Sequence, residues 1–233
     1  MKERPILFSG SMVRALLERR KTQTRRIFKL KGGTDWIKSI HQDGGGNWIA
    51  WSTNESNLPE FTKRAYPNGE GMRCPYGTVG DRLWVREGFG FTAKIPVSSH
   101  AQAMRDRFAP PNWMAFRADD PLGNWCWHPS IHMPRWASRI TLEITDIRVQ
   151  RLQEISEEDA VAEGMLPEEV TQQGYDDFQI SDAAPIEKRL AKILGRGFFT
   201  GKLQFGYWWD SINAKQAAWG TNPWCWCITF KRL

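Results

Sequence analysis

This chain of 233 residues lacks the features that place a protein at a membrane or outside the cell. It contains no apolar run of about 18 residues, so no transmembrane helix and no membrane partner are expected. The first residues lack the pattern of a signal peptide. We therefore expect a cytoplasmic protein whose four cysteines are reduced.

Two familiar catalytic motifs are also missing. The glycines of the Gly77–Gly80 turn are not followed by the Lys-Ser/Thr pair of a nucleotide-binding phosphate loop. No nucleophile elbow occurs either, and no internal repeat is visible. These absences exclude two common hydrolase designs, and we expect no cofactor.

A metal site has little support in the sequence. Cys126, His128 and His132 could supply three zinc ligands, and the cysteine pair near the C-terminus could add to them. Their spacing is not that of a familiar zinc module, and Pro129 interrupts it. We therefore expect no metal.

The chain is rich in positive charge and in tryptophan. Its net charge is +6, which favours a polyanionic partner, and it has 13 tryptophans. Tryptophan rings can stack on nucleic-acid bases, although most of them are expected to fill the core of a β-rich fold.

The positive charge is densest in Arg19–Arg26, where five of eight residues are cationic. An apolar helical pattern precedes this basic run, so a packed helix holds it in place. Phosphate is the anion that arginine clusters most often recognise. We predict that Arg19, Arg20, Arg25 and Arg26 bind phosphate. The alternatives are a solvated basic face and, for Arg25 and Arg26, internal pairing with carboxylates.

Periodicity predicts short strands scattered among a few helices, which indicates an α+β fold. The best arrangement is a small barrel flanked by helices, in one domain over 1–233. Insertions are expected at about 31–75, 92–136 and 166–204. The clearest elements are a strand over 138–152, a helix from Ser156 to about Glu163, a helix over 205–216 and a closing strand over 224–233. A further helix is expected near Ala184–Leu194.

Lys21 and Thr24 are three residues apart, a spacing that lets an amine reach a hydroxyl. A threonine hydroxyl needs a base to become a nucleophile, and the surrounding arginines favour a neutral lysine that could serve as that base. The alternative is that Lys21 binds phosphate and Thr24 satisfies the backbone.

Glu163 is expected at the C-terminal end of its helix, just before Gly164. A carboxylate there opposes the helix dipole. An acidic residue in a locally unfavourable position is a functional indication, although a solvated side chain would cost little.

Three segments together resemble the ASCH family. They are the Lys21–Arg26 run, the Gly80–Glu87 segment that contains Arg86, and the closing Asn222–Trp226 segment. The similarity extends from residue 5 to residue 231 and is closest to the large ASCH-type proteins of phages and prophages.

This resemblance implies a PUA-like fold, a small β-barrel flanked by helices, with a cleft that faces RNA or a nucleotide. In one branch of the family, N4-acetylcytidine is hydrolysed to cytidine and acetate. The resemblance assigns the catalytic roles of that branch to Lys21, Thr24 and Glu163, and Arg86 joins the phosphate-binding set.

The expected partner is RNA, single-stranded DNA or a modified nucleoside. Two other functions stay open, a non-catalytic nucleic-acid binder and a ribonuclease in which Lys21 and Glu163 act as acid and base.

Overall fold

The computed structural model describes residues 1–29, 34–35, 37–42, 47–51, 72–92, 94, 97–108, 113–120, 123–165 and 201–233. These residues form several β-sheets and four α-helices, which confirms the α+β class. They divide into two compact units. Unit 1 comprises 1–22, 75–147 and 229–233, and unit 2 comprises 23–74 and 148–228.

Unit 1 begins with a strand and a short helix. Strand β1 (Glu3–Leu7) leads to helix α1 (Gly10–Leu17), whose N-cap is Ser9. Strand β5 (Arg82–Arg86) lies parallel to β1, with Glu3 opposite Arg82. It pairs antiparallel with the first part of β9 (Thr141–Arg151) through Leu83 and Leu142. The buried faces of α1 and these strands form a core because their apolar residues recur at helical and strand spacing.

The Gly-Asp motif before β5 fixes the turn that starts this strand. Gly77 and Gly80 have φ angles of 126° and 85°, in the region that favours glycine. The Asp81 carboxylate accepts hydrogen bonds from the backbone N–H of Lys2 at 2.6 Å and from Arg4 Nη1 at 3.1 Å. The motif therefore joins the turn to the N-terminal strand.

A second, three-stranded sheet completes unit 1. Strand β6 (Phe89–Thr92) pairs antiparallel with both β7 (Met114–Phe116) and β8 (Trp125–His128). Helix α2 (Val97–Asp106) and two 3₁₀ turns (Ser130–His132 and Arg135–Ala137) complete the fold around Phe89, Phe91 and Met133. The predicted insertion over 92–136 is thus built partly from regular elements.

Unit 2 carries strand β2 (Gln23–Ile27), the antiparallel pair β3 (Ser39–Gln42) and β4 (Trp48–Trp51), and the second part of β9. In the order of hydrogen-bonded strands, unit 1 holds β1-β5-β9 and unit 2 holds β9, β10 (Trp224–Arg232) and β2. Strand β10 (Trp224–Arg232) confirms the predicted closing strand.

Two helices pack on the core of unit 2. Helix α3 (Glu157–Ala162) starts at the N-cap Ser156 and ends at the C-cap Glu163, as the sequence predicts. Helix α4 (Gly201–Ala217) begins four residues earlier than predicted. Phe205 and Trp209 of α4 pack with Leu152 and Ala160. Short 3₁₀ turns (Leu152–Glu154 and Trp219–Thr221) flank these elements.

Several predictions concern residues that the structure describes only in part. The insertion over 31–75 is one, and the helix expected near Ala184–Leu194 lies outside the described residues. The described strands form no closed barrel, and the PUA-like barrel stays a prediction. Within the described segments, no helix has the length and apolar character needed to cross a bilayer.

Candidate functional site

The basic run is divided between a helix end and a strand. Helix α1 ends at Leu17, and Arg19 follows with a positive φ of 61°. The side chain of Arg20 turns back, and its Nε donates to Glu18 at 2.8 Å. Arg19 and Arg20 thus lie on the outside of unit 1, where Arg19 is exposed.

The predicted catalytic residues are all buried. The exposed fractions are 2% for Lys21, 0% for Thr24 and 2% for Glu163. Lys21 belongs to unit 1, where its Nζ lies 5.7 Å from the centre of the Phe8 ring. Thr24 and Glu163 belong to unit 2.

Thr24 and Arg25 point to opposite sides of strand β2, because successive side chains of a strand alternate. Arg25 contacts Glu163, with Nη1 at 3.4 Å from Oε1, so Glu163 lies on the Arg25 side. The Thr24 hydroxyl is enclosed and has no hydrogen-bond partner among the described residues. Unit 2 therefore brings Glu163 to Arg25 and leaves the Thr24 hydroxyl on the other face.

Arg25 forms its shortest ion pair with Asp159 of helix α3. Nη2 lies 2.6 Å from Oδ2, and Arg148 Nη2 lies 3.1 Å from the other carboxylate oxygen. Burial by itself would raise the pKa of Asp159, but the hydrogen bonds and charges of Arg25 and Arg148 lower it. Burial opposes the charge of Arg25, yet Cys227, Glu163 and Asp159 together raise its pKa. Arg25 thus contacts two carboxylates, and Arg148 contacts one of them.

Polar side chains from the neighbouring strands complete this buried charge cluster. Gln23 accepts a hydrogen bond from Arg148 Nη2 at 2.6 Å. Gln150 accepts one from Arg25 Nη2 at 3.4 Å. Burial raises the pKa of the Cys227 thiol to about 12, so this thiol stays neutral near pH 7. The cluster is suited to hold β2 and α3 together, and its thiol is not a reactive one.

The remaining members of the predicted phosphate-binding set differ in exposure. Arg25 is 3% exposed, and the contacts above match the internal pairing that the sequence left open. Arg26 and Arg86 are half-buried, and the guanidinium carbon of Arg86 lies 4.7 Å from the centre of the Trp84 ring. Phosphate binding by these residues stays a prediction.

A cleft of about 540 Å³ opens in unit 1 beside the start of α1. It is lined by cationic, aromatic and hydroxyl-bearing side chains, among them Arg14, Arg117, Trp127, His128, Ser9 and Ser130. Among the described residues, no aspartate or glutamate lines it. The cleft is therefore a cationic surface with an aromatic wall.

Strand and helix contacts hold the two arginines at the cleft. Arg14 Nη1 donates to the carbonyl of Ala118 at 3.2 Å. The backbone N–H of Arg117 donates to the carbonyl of Gly88 at 2.8 Å. The guanidinium carbon of Arg117 lies 5.9 Å from the centre of the Trp127 ring. A backbone carbonyl thus holds the guanidinium group of Arg14 at the cavity. The hydrogen bond to Gly88 holds the backbone of Arg117, whose guanidinium group also lies at the cavity.

His128, one of the zinc ligands considered from the sequence, packs against an aromatic ring. The His128 ring stacks on Phe89 with 5.3 Å between ring centres. Burial lowers the pKa of His128, and the nearby His100 and His132 lower it further. In the part of the chain that the structure describes, no group of three or more His, Cys, Asp or Glu side chains is placed to hold a metal ion.

No motif in the sequence marks Arg14, Arg117 and Trp127 as site residues. Their signal in the sequence is weak, because each is an isolated residue in a different segment. Only the pairing of β6 with β7 and β8 brings the segments of Arg117 and Trp127 together.

Comparison with known protein families, with curated proteins and with solved structures gave no match to this chain, so its resemblance to the ASCH family stays a prediction from the three segments.

Proposed function

We propose that this protein binds a nucleotide or a nucleic acid through the cleft of unit 1. The observation that carries the proposal is the composition of the cleft, which combines Arg14, Arg117 and Trp127 and has no acidic side chain among the described lining residues. Arginines bind phosphate oxygens, and an indole ring stacks on a base. A cationic cleft with an aromatic wall suits a ligand that has both groups.

The start of α1 adds backbone donors to this cleft. The first N–H groups of a helix have no partner in its own hydrogen-bond ladder, and they carry the positive end of the helix dipole. Ser9, the N-cap, and Gly10 both line the cleft. These donors support an anionic ligand.

The resemblance to the ASCH family extends this proposal. It adds a PUA-like barrel as the fold and RNA, single-stranded DNA or a modified nucleoside as the ligand. The net charge of +6 supports a polyanionic partner in the cytoplasm.

A salt titration tests the proposal. Single-stranded RNA should bind at low salt, and its affinity should fall steeply as salt rises. If Arg117 contacts one phosphate, Arg117→Gln should reduce the slope of log affinity against log salt by about 0.7. Fluorescence anisotropy of a labelled oligonucleotide measures both quantities.

Arg105→Gln is the matched control, because it removes the same charge from an exposed position on α2 that does not line the cleft. It should leave the slope unchanged. Absence of binding at low salt, for both the oligonucleotide and a free nucleotide, would refute the proposed function. An equal slope for Arg117→Gln and wild type would refute the assignment to this cleft.

A second candidate is hydrolysis of N4-acylated cytidine, which one observation favours. The Thr24 hydroxyl is fully buried and has no hydrogen-bond partner among the described residues, so its lone pairs are not occupied by a structural bond. In this reaction, Thr24 attacks the acyl carbon and passes its proton to Lys21. Glu163, which lies on the Arg25 side of β2, must turn toward the substrate to protonate the departing cytidine amine, and water then hydrolyses the acyl ester.

Release of cytidine from N4-acetylcytidine, free or within an oligonucleotide, tests this candidate. Lys21→Ala, Thr24→Ala and the double variant should lose similar activity, because residues that act as a unit are not additive. Thr24→Ser should keep part of the activity. Thr22→Ala removes the other, exposed hydroxyl of the basic run and should be fully active.

Two outcomes decide against this candidate. If wild type releases no cytidine from either substrate, the protein does not catalyse this reaction. If Thr24→Ala is active while Lys21→Ala and Glu163→Ala are inactive, Thr24 is not the nucleophile. The lysine and glutamate would then act on water or on a ribose hydroxyl, as a ribonuclease would require.

A further inference from the structure

The formal charge of the cleft of unit 1 follows from the three basic side chains in its lining. Arg14 and Arg117 carry one positive charge each, since guanidinium groups do not lose their proton in proteins. The third basic residue, His128, is neutral near pH 7, because burial and its histidine neighbours lower its pKa. With no acidic lining residue among those described, the side chains give the cleft a formal charge of +2.

We propose that this cleft binds the terminal phosphomonoester of a nucleotide or of a nucleic-acid end, in preference to an internal phosphodiester. The proposal rests on the proposed function and specifies its ligand. A phosphomonoester carries a charge of about −1.5 to −2 near pH 7, whereas an internal diester carries about −1. The monoester therefore matches the two guanidinium groups.

The donors around the cleft suit the extra oxygen of a terminal phosphate. Arg14 lies on the same helix whose first N–H groups, at Gly10 and Ser11, have no acceptor in the helix ladder. Ser130, whose side chain carries a hydroxyl donor, also lines the cleft. A terminal phosphate has three oxygens available as acceptors, and an internal phosphate has only two that are not bonded to carbon. The cleft thus has enough donors for the terminal group.

The aromatic wall gives the cleft a place for one base. The Arg117 guanidinium lies over the Trp127 ring, so a base that stacks on the indole would bring its adjoining phosphate close to this arginine. Gly88 permits this arrangement, because a Cβ at its position would lie only 3.1 Å from Arg117 Cβ. A volume of about 540 Å³ is within the usual range for sites that hold one small ligand. The cleft is therefore suited to one terminal nucleotide.

Three RNA oligonucleotides of one sequence test the inference. One carries a 5′-phosphate, one carries a 3′-phosphate and one carries neither, and each has an internal fluorescent label. At low salt, wild type should bind one of the phosphorylated oligonucleotides about tenfold more tightly than the unphosphorylated one, as expected for a charge-assisted contact worth about 1.4 kcal/mol. The preferred end identifies the source of the monoester.

Variants locate the effect in the cleft. Arg14→Gln should abolish the preference for the phosphorylated end, and Arg14→Lys should retain part of it because the charge is kept. Arg105→Gln should leave the preference unchanged, since this exposed arginine does not line the cleft. Circular dichroism of each variant checks that it is folded.

The outcomes separate this inference from the proposed function. Equal affinity for all three oligonucleotides, with strong salt dependence, would overturn the inference and leave the proposed function intact. No binding of any oligonucleotide or of a free nucleotide would overturn the proposed function itself. An end preference that survives in folded Arg14→Gln and in Arg117→Gln would show that another part of the chain recognises the phosphate, and would also overturn the inference.

Discussion

The buried environment of Arg25 differs from the exposed, phosphate-binding position that its cationic sequence neighbours indicate. It lies in a run of cations, yet its side chain is enclosed and contacts Asp159, Glu163 and Gln150. The alternation of β2 explains this, because it turns Arg25 toward α3 whatever the charge of the adjoining residues. A buried guanidinium of this kind is costly unless carboxylates neutralise it, as they do here.

Removing the charge of Arg25 should therefore destabilise unit 2. Arg25→Gln removes the ion pair between Arg25 and the buried Glu163 and deprives Asp159 of its shortest ion pair. We expect the free energy of unfolding to fall by about 3–5 kcal/mol, which urea denaturation would measure.

Arg20→Gln provides the comparison, since it breaks the exposed ion pair with Glu18 in the same basic run. Its effect should be within about 1 kcal/mol. If the two substitutions cost the same, the Arg25 contacts do not stabilise the fold. If Arg25→Gln also binds RNA with wild-type salt dependence, phosphate contact by Arg25 is ruled out.

At the scale of secondary-structure elements, the sequence predicts the helices and strands that carry strong local signals. Ser156 and Gly164 bound helix α3 at both ends, and the alternation after Asn222 predicted β10. The strands of the region over 92–136 are harder to predict from the sequence. Strands β7 and β8 have three and four residues, too few for a reliable alternation, and they form because both pair with β6.

The same limit applies to the candidate sites. The Lys21–Arg26 run and Glu163 were recognised because motif and helix position are local properties. The unit 1 cleft could not be predicted, because it depends on β8 and on the loop after β7 meeting the start of α1. The pairing of Arg25 with Asp159 was also hidden, since 134 residues separate them. The sequence allowed internal pairing without identifying the partner.

At the scale of the whole molecule, scattered strands and few helices were sufficient to predict the α+β class. The division into two units was not predictable in this way, because each unit is assembled from separated segments and long strands contribute to both. Local periodicity reports which residues are buried, whereas the grouping of segments depends on long-range pairing.

Acid sensitivity is a property of the whole molecule that these contacts predict. Arg25 and Arg148 lower the pKa of Asp159 in the folded state, and the backbone N–H of Lys2, with Thr78 and Arg4, lowers that of Asp81. A carboxylate with a depressed folded pKa stabilises the protein above its unfolded pKa, near 4, and this stabilisation is lost as the pH falls through the folded pKa. The free energy of unfolding should therefore decrease as the pH falls below about 4.

Asp159→Asn isolates one part of this dependence. Burial raises the pKa of Glu87, whose contribution has the opposite sign, so the comparison must be made between two chains that both retain Glu87. The variant should be less stable than wild type at pH 7, and the difference should shrink as the pH falls below about 4, because wild-type Asp159 then becomes protonated and loses its ion pairs. Urea unfolding at a series of pH values measures both curves. Parallel curves over the acidic range would show that the ion pairs of Asp159 do not contribute to the acid sensitivity of this protein.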